Sequence, residues 1–270
     1  MNKQPLSPPD PNRQHKLDAF DRLLTIMDEL RENCPWDKKQ TMESLRHLTI
    51  EETYELTDAI IENDLGEVKK ELGDLMLHMV FYSRIGSEKK AFDIADVLHS
   101  VCDKLVRRHP HIYGDVVADD EKAVKENWEK IKLTEKGNQT VLGGVPKSLP
   151  AMVKAMRIQE KAKGAGFDWD KKEQVWEKVQ EEIEEFQVEV NKGLSQDDIN
   201  NEFGDILFSL INYARFVDIN PEEALERTNK KFIRRFNHLE QHVNHDSKEL
   251  TTMTLDELNV YWESAKKAEG

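Results

Sequence analysis

The chain has 270 residues, a formal net charge of −14 and 34% charged residues, with only 12 glycines and 9 prolines. A field of that sign repels polyanions at long range unless a local basic stripe overcomes it, which argues against nucleic acid as the main partner, while a free nucleotide carrying Mg2+ is not excluded. No apolar run approaches the roughly 20 residues that a bilayer crossing needs, and Cys34 and Cys102 fit neither a disulfide framework nor a zinc spacing, so the expectation is a reduced, cytoplasmic protein with no membrane partner.

Residues 1–15 are polar and proline-rich, which reads as a disordered tail and not as a signal peptide. Beyond them apolar residues recur at the 3.6-residue spacing of amphipathic helices, so the fold class is all-α. The chain also repeats itself. "CPWDKKQT" at 34–41 returns as "FDWDKKEQ" at 167–174, and "EETYELTDAI" at 51–60 as "EEIEEFQVEV" at 181–190. "EVKKELGDLMLHMVFYSRI" at 67–85 returns as "DINNEFGDILFSLINYARF" at 198–216. "DKLVRRHPH" at 103–111 and "VKENWEKIK" at 124–132 have partners at 229–238 and 258–267. Five blocks in one order, at offsets of 127 to 134, identify a duplication. The expected organisation is a first helical domain over 16–133, a Gly- and Pro-containing linker over 134–150, and a second helical domain over 151–270.

The acidic residues stand in matched positions in both copies. Glu52 and Glu55 are three apart on one predicted helix, Glu71 and Asp74 three apart on the next, and "ENDLG" at 62–66 breaks the chain between them. In an antiparallel helical hairpin, residues whose numbers share a sum lie level. Glu52 with Asp74 and Glu55 with Glu71 both total 126, centred in that turn; Glu182 with Asp205 and Glu185 with Glu202 both total 387, centred at 193–194. A solvated acidic face explains one such pair, but not two copies keeping both pairs in register. Four converging carboxylates without a cation push some pKa values up, and a hard divalent ion removes that conflict. All-oxygen ligation suits Mg2+, with Mn2+ as the alternative.

Glu51-Glu52-x-x-Glu55 with Glu71-x-x-Asp74, and Glu181-Glu182-x-x-Glu185 with Glu202-x-x-Asp205, resemble the MazG family of nucleoside triphosphate pyrophosphohydrolases. The likeness runs on through "CPWD", "RRHPH" and "VPKSLPAM" and spans nearly everything but the N-terminal tail. It implies tandem MazG-like helical bundles, a homodimer, and Mg2+-dependent hydrolysis of nucleoside triphosphates to monophosphate and pyrophosphate, with the second domain as principal catalyst.

On that resemblance Glu182, Glu185, Glu202 and Asp205 hold metal, as do Glu52, Glu55, Glu71 and Asp74, and Glu181 joins Glu182 as a catalytic residue by orienting the attacking water. Lys231, Arg234 and Arg235 are expected to meet phosphates, although the same cations also suit surface ion pairs. Lys178, one turn before Glu182, points toward the same site, and its first-copy counterpart is Leu48. Trp262 is expected to stack on the base, the competing role being an anchor for the last helix. His78, replaced by Ser209 in the second copy, and the His109–His111 pair, replaced by Phe236 and His238, are expected to play no part in metal binding. The rival class is a module that senses nucleotides without hydrolysing them.

Overall fold

Thr41 begins the first hairpin. Its side chain accepts from the backbone N–H of Ser44 while Ser44 Oγ accepts from the Thr41 N–H, a reciprocal cap that fixes where the helix starts. Helix α2, Met42–Ile61, then runs to Asn63, whose φ of 56° is left-handed, and Asp64 caps helix α3, Leu65–Glu88. The second copy uses the same device. Helix α7, Lys172–Lys192, ends at Gly193, with φ of 65°, and Ser195 caps helix α8, Gln196–Phe216. Asn63 and Gly193 are equivalent positions of the duplication, and both residue types tolerate the left-handed conformation that ends a helix.

The computed structural model describes residues 8, 10–118, 120, 123, 124, 127, 128, 131, 140–193 and 195–269. These residues contain α-helices and two short 3₁₀ turns, with no strand among them, as the sequence pattern predicts. The chain divides into two units between Val124 and Lys125. Helix α1, Arg13–Asn33, starts ahead of the boundary drawn at residue 16. Much of the predicted linker, Leu194 in the second turn, and most of the segment around Trp128 lie outside the described residues.

In the first unit, α1, α2 and α3 enclose a core of Met27, Leu45, Val80, Phe81 and Ile85. Arg31 fastens the turn before α2. Its guanidinium donates to both Glu88 oxygens at 2.8 and 2.9 Å, to the Gln40 carbonyl at 3.1 Å, and to the Asp37 carbonyl. Helices α4, Ile94–Arg108, and α5, Pro110–Tyr113, complete the unit's described helices. In the second, α6, Ala151–Gly164, packs on α8, and Gln159 Nε2 donates to the Phe208 carbonyl at 2.8 Å. Val175, Val179, Ile211, Leu239, Val243 and Ala265 form its interior, the last three from α9, Pro221–His245, and α10, Leu255–Glu269.

One apolar stripe stays uncovered in each unit. Leu72, Met76 and Met79 on α3 are exposed by 53, 47 and 44%, and their equivalents Phe203, Leu207 and Leu210 on α8 by 51, 43 and 39%. The i, i+4, i+7 spacing places each trio on one helix face.

Candidate metal centres and active site

Each hairpin brings together three of the four carboxylates that the sequence register sets side by side. Carboxylate oxygens of Glu52, Glu55 and Glu71 lie within 4.8 Å of one another, as do those of Glu182, Glu185 and Glu202. Each trio joins two acids from the first helix of its hairpin to one from the second. Asp74 and Asp205 lie beside these trios, not within them: Asp74 is half-buried, Asp205 is exposed, and their charges act on Glu52 and Glu202 respectively.

The burial inside the trios is not shared equally. Glu71 on α3 is 2% exposed in the first unit, whereas in the second it is Glu182 on α7, at 7%, that is buried. Burial, then the charges of Asp74, Glu55 and Glu71, holds Glu52 above the ordinary carboxylate range. Burial, then Glu185, Asp205 and Glu182, does the same to Glu202. Glu52 and Glu202, each pushed toward its protonated form, and a buried Glu71 oxygen that lacks a hydrogen-bond partner are features that a bound cation would satisfy. All-carboxylate donors fit Mg2+ or Mn2+.

A lysine sits on the buried acid in each unit. Lys178 Nζ donates to Glu181 at 2.7 Å and lies 2.9 Å from Glu182, and these hydrogen bonds raise its pKa. Thus Lys178 reaches the acidic cluster as expected. In the first unit Lys70 Nζ donates to Glu71 at 2.8 Å, and that bond raises its pKa likewise. Lys70 was not singled out in the sequence, because its counterpart is Asn201 and comparing the copies hides it. The two lysines occupy non-equivalent positions yet neutralise the same kind of group.

Lys231, Arg234 and Arg235 lie on α9 and Trp262 on α10, whereas the trio is carried by α7 and α8. Trp262 is half-buried and packs against Phe232 with ring centroids 5.1 Å apart, so the anchoring role has a visible partner. Arg235 acts on Glu263 of α10. Glu181 is exposed and accepts from Lys178.

A family model described as the MazG nucleotide pyrophosphohydrolase domain matches twice, over residues 40–113 and 171–240, and each match contains one hairpin with its acidic trio. The chain belongs to the MazG family. It is 41% identical over 251 residues to a protein of Thermotoga maritima named nucleoside triphosphate pyrophosphohydrolase/pyrophosphatase MazG, covering 92% of this chain and 95% of that one. It is 39% identical over 260 residues to the nucleoside triphosphate pyrophosphohydrolase of Escherichia coli K12, covering 94 and 99%. It is 44% identical over 265 residues to Bacillus subtilis YabN, matching 96% of this chain and 54% of that longer protein. The two matches leave α1, α6 and α10 outside their bounds and take in α4, α5 and most of α9.

Proposed function

We propose that the chain is a Mg2+-dependent nucleoside triphosphate pyrophosphohydrolase that cleaves between the α- and β-phosphates, releasing nucleoside monophosphate and pyrophosphate. The observation carrying this reading is the acidic trio built twice from matching positions. Family relatives matched over nearly their full length and named nucleoside triphosphate pyrophosphohydrolase support the class of reaction. Glu182, Glu185 and Glu202, completed by Asp205, would hold the ion; when bound, it neutralises phosphate oxygens and acidifies a water. Glu181 is the exposed base beside the cluster and orients the attacking water. Lys178 has two duties. Without substrate its ammonium satisfies Glu182; with substrate it turns to the phosphate charge, alongside Lys231, Arg234 and Arg235.

That exchange has a signature of opposite signs. Lys178→Met is expected to tighten Mn2+ binding in the absence of nucleotide severalfold, because a competing cation leaves Glu182, and to raise KM for the triphosphate by about tenfold. Titration calorimetry with Mn2+ and steady-state kinetics check the two halves, and weaker ion binding would contradict the exchange.

The equivalent exposed stripes favour a homodimer in which α3 and α8 meet their copies. Leu72→Asp with Phe203→Asp is expected to halve the mass measured by light scattering, while an unchanged mass would remove the stripe from the interface. Among the described residues no helix is long and apolar enough to cross a membrane. The reaction itself is tested by incubating the chain with Mg2+ and a panel of ribo- and deoxynucleoside triphosphates, then assaying pyrophosphate against orthophosphate. Pyrophosphate with monophosphate is the expected product pair. Orthophosphate as first product indicates a terminal phosphatase, and no product supports the sensing module.

A further inference from the structure

His78 is 6% exposed, and its Nδ1 is buried without a hydrogen-bond partner. A buried polar atom left unpaired is uncommon and calls for a physical reason. The residue lies on α3, one helical turn beyond Asp74 and two beyond Glu71, on the face that carries both acids. Burial disfavours the charged imidazole, and the Asp74 carboxylate acts on it in the opposite direction. Asp74 also stands just outside the trio of Glu52, Glu55 and Glu71.

The second unit solves the same level of its hairpin differently. The register that pairs Glu52 with Asp74 also sets His78 level with Leu48, and in the second copy these positions hold Ser209 and Lys178. There a cation reaches in from the first helix of the hairpin. In the first unit that helix offers only a leucine, and the nitrogen comes from α3.

We propose that His78 is a positioning residue of the first metal centre, donating its ring N–H to one oxygen of Asp74 and leaving the other oxygen for the ion. The unpaired nitrogen gains its partner when Asp74 turns toward the trio. A ligating carboxylate held this way is oriented by its neighbour, as metal ligands are by the groups behind them. The imidazole nitrogens, like the Asp74 oxygens, lie outside the 4.8 Å group, and the role proposed for the ring is to hold Asp74 and not to bind the ion. Serine in the second unit, 8% exposed, leaves Asp205 without an equivalent imidazole.

The inference rests on the first unit binding a divalent ion, and the test separates the two. In full-length protein carrying Glu182→Gln and Glu185→Gln, which silence the second centre, Mn2+ affinity is measured by electron paramagnetic resonance. His78→Leu is expected to weaken that affinity by roughly 10- to 100-fold. His78→Gln, which keeps an N–H donor, is expected to stay within about threefold of the parent. In otherwise wild-type protein, His78→Leu should leave the second centre's affinity unchanged, with the thermal midpoint recorded for every variant. Unchanged Mn2+ affinity in His78→Leu, or equal loss in His78→Gln, overturns the positioning role. No Mn2+ binding in the parent overturns the metal reading of the first unit, and the role with it.

Discussion

Glu182→Ala is expected to abolish pyrophosphate release, lowering kcat by roughly 10³-fold, the scale seen when one preorganised charge-stabilising group is removed. Asp205→Ala should fall in the same range, because the triphosphate brings in negative charge that the trio alone cannot offset without its ion. The fold should persist. Glu182 faces the interior of the hairpin, but its oxygens serve Lys178 and a site for a cation, not the apolar core of Val175, Val179 and Ile211. Helical circular dichroism and the thermal midpoint check that the loss is chemical. Glu52→Ala, the equivalent change in the first unit, is expected to cost no more than about threefold in turnover. Equal losses at Glu52 and Glu182 would contradict a division of labour between the units, and unchanged turnover in Glu182→Ala would end the assignment of the site.

The second large effect concerns stability and the ion. Glu52 and Glu202 have raised pKa values in the folded chain, from burial first and neighbouring carboxylates second. A carboxylate whose pKa is raised on folding holds its proton more tightly in the native state. Its contribution to stability is therefore fully present below the ordinary carboxylate pKa and is lost as pH rises through the raised value. At neutral pH the crowded carboxylates repel one another, and a divalent ion bound among them would relieve that repulsion. With Mn2+ at about 100 times its dissociation constant, binding to the native state adds about 2.7 kcal/mol. For units of this size that corresponds to a rise of about 5–10 °C in thermal midpoint. The rise should be largest near about pH 7.5 and shrink toward about pH 5, where protons compete for the same oxygens. Scanning calorimetry at the two pH values measures it. Glu52→Gln with Glu202→Gln should flatten the response, and an equal Mn2+ effect at both pH values would show that the ion binds elsewhere.

Much of this architecture was legible because the duplication doubles the information in the chain. Hairpin register followed from where the acids and the turn residues fall, and Asn63 and Gly193 mark the turns at equivalent places. Glu52, Glu55 and Glu71, like Glu182, Glu185 and Glu202, meet, while Asp74 and Asp205, which the register places level with Glu52 and Glu182, stay outside the trios. What was not legible depends on side-chain reach and on burial. Comparing copies finds features that both retain, so it passes over Lys70, whose role is taken in the second unit by Lys178 from a different helix. Spacing cannot say that Glu71 is buried in one hairpin and Glu182 in the other, since that turns on how neighbouring helices cover each level. Nor does periodicity distinguish core from uncovered face. Leu72, Met76 and Met79 share the helical spacing of Val80 and Phe81, and only packing reveals that the first three are left uncovered by the rest of their own chain.

The account turns on acids from adjacent helices gripping a divalent ion, and anomalous diffraction from Mn2+-soaked crystals examines that grip directly. Anomalous density is expected between α2 and α3 at Glu52, Glu55 and Glu71, and between α7 and α8 at Glu182, Glu185 and Glu202, with Asp74 and Asp205 drawn inward. Density at neither trio, with Glu71 still turned to Lys70 and Glu182 to Lys178, would contradict it.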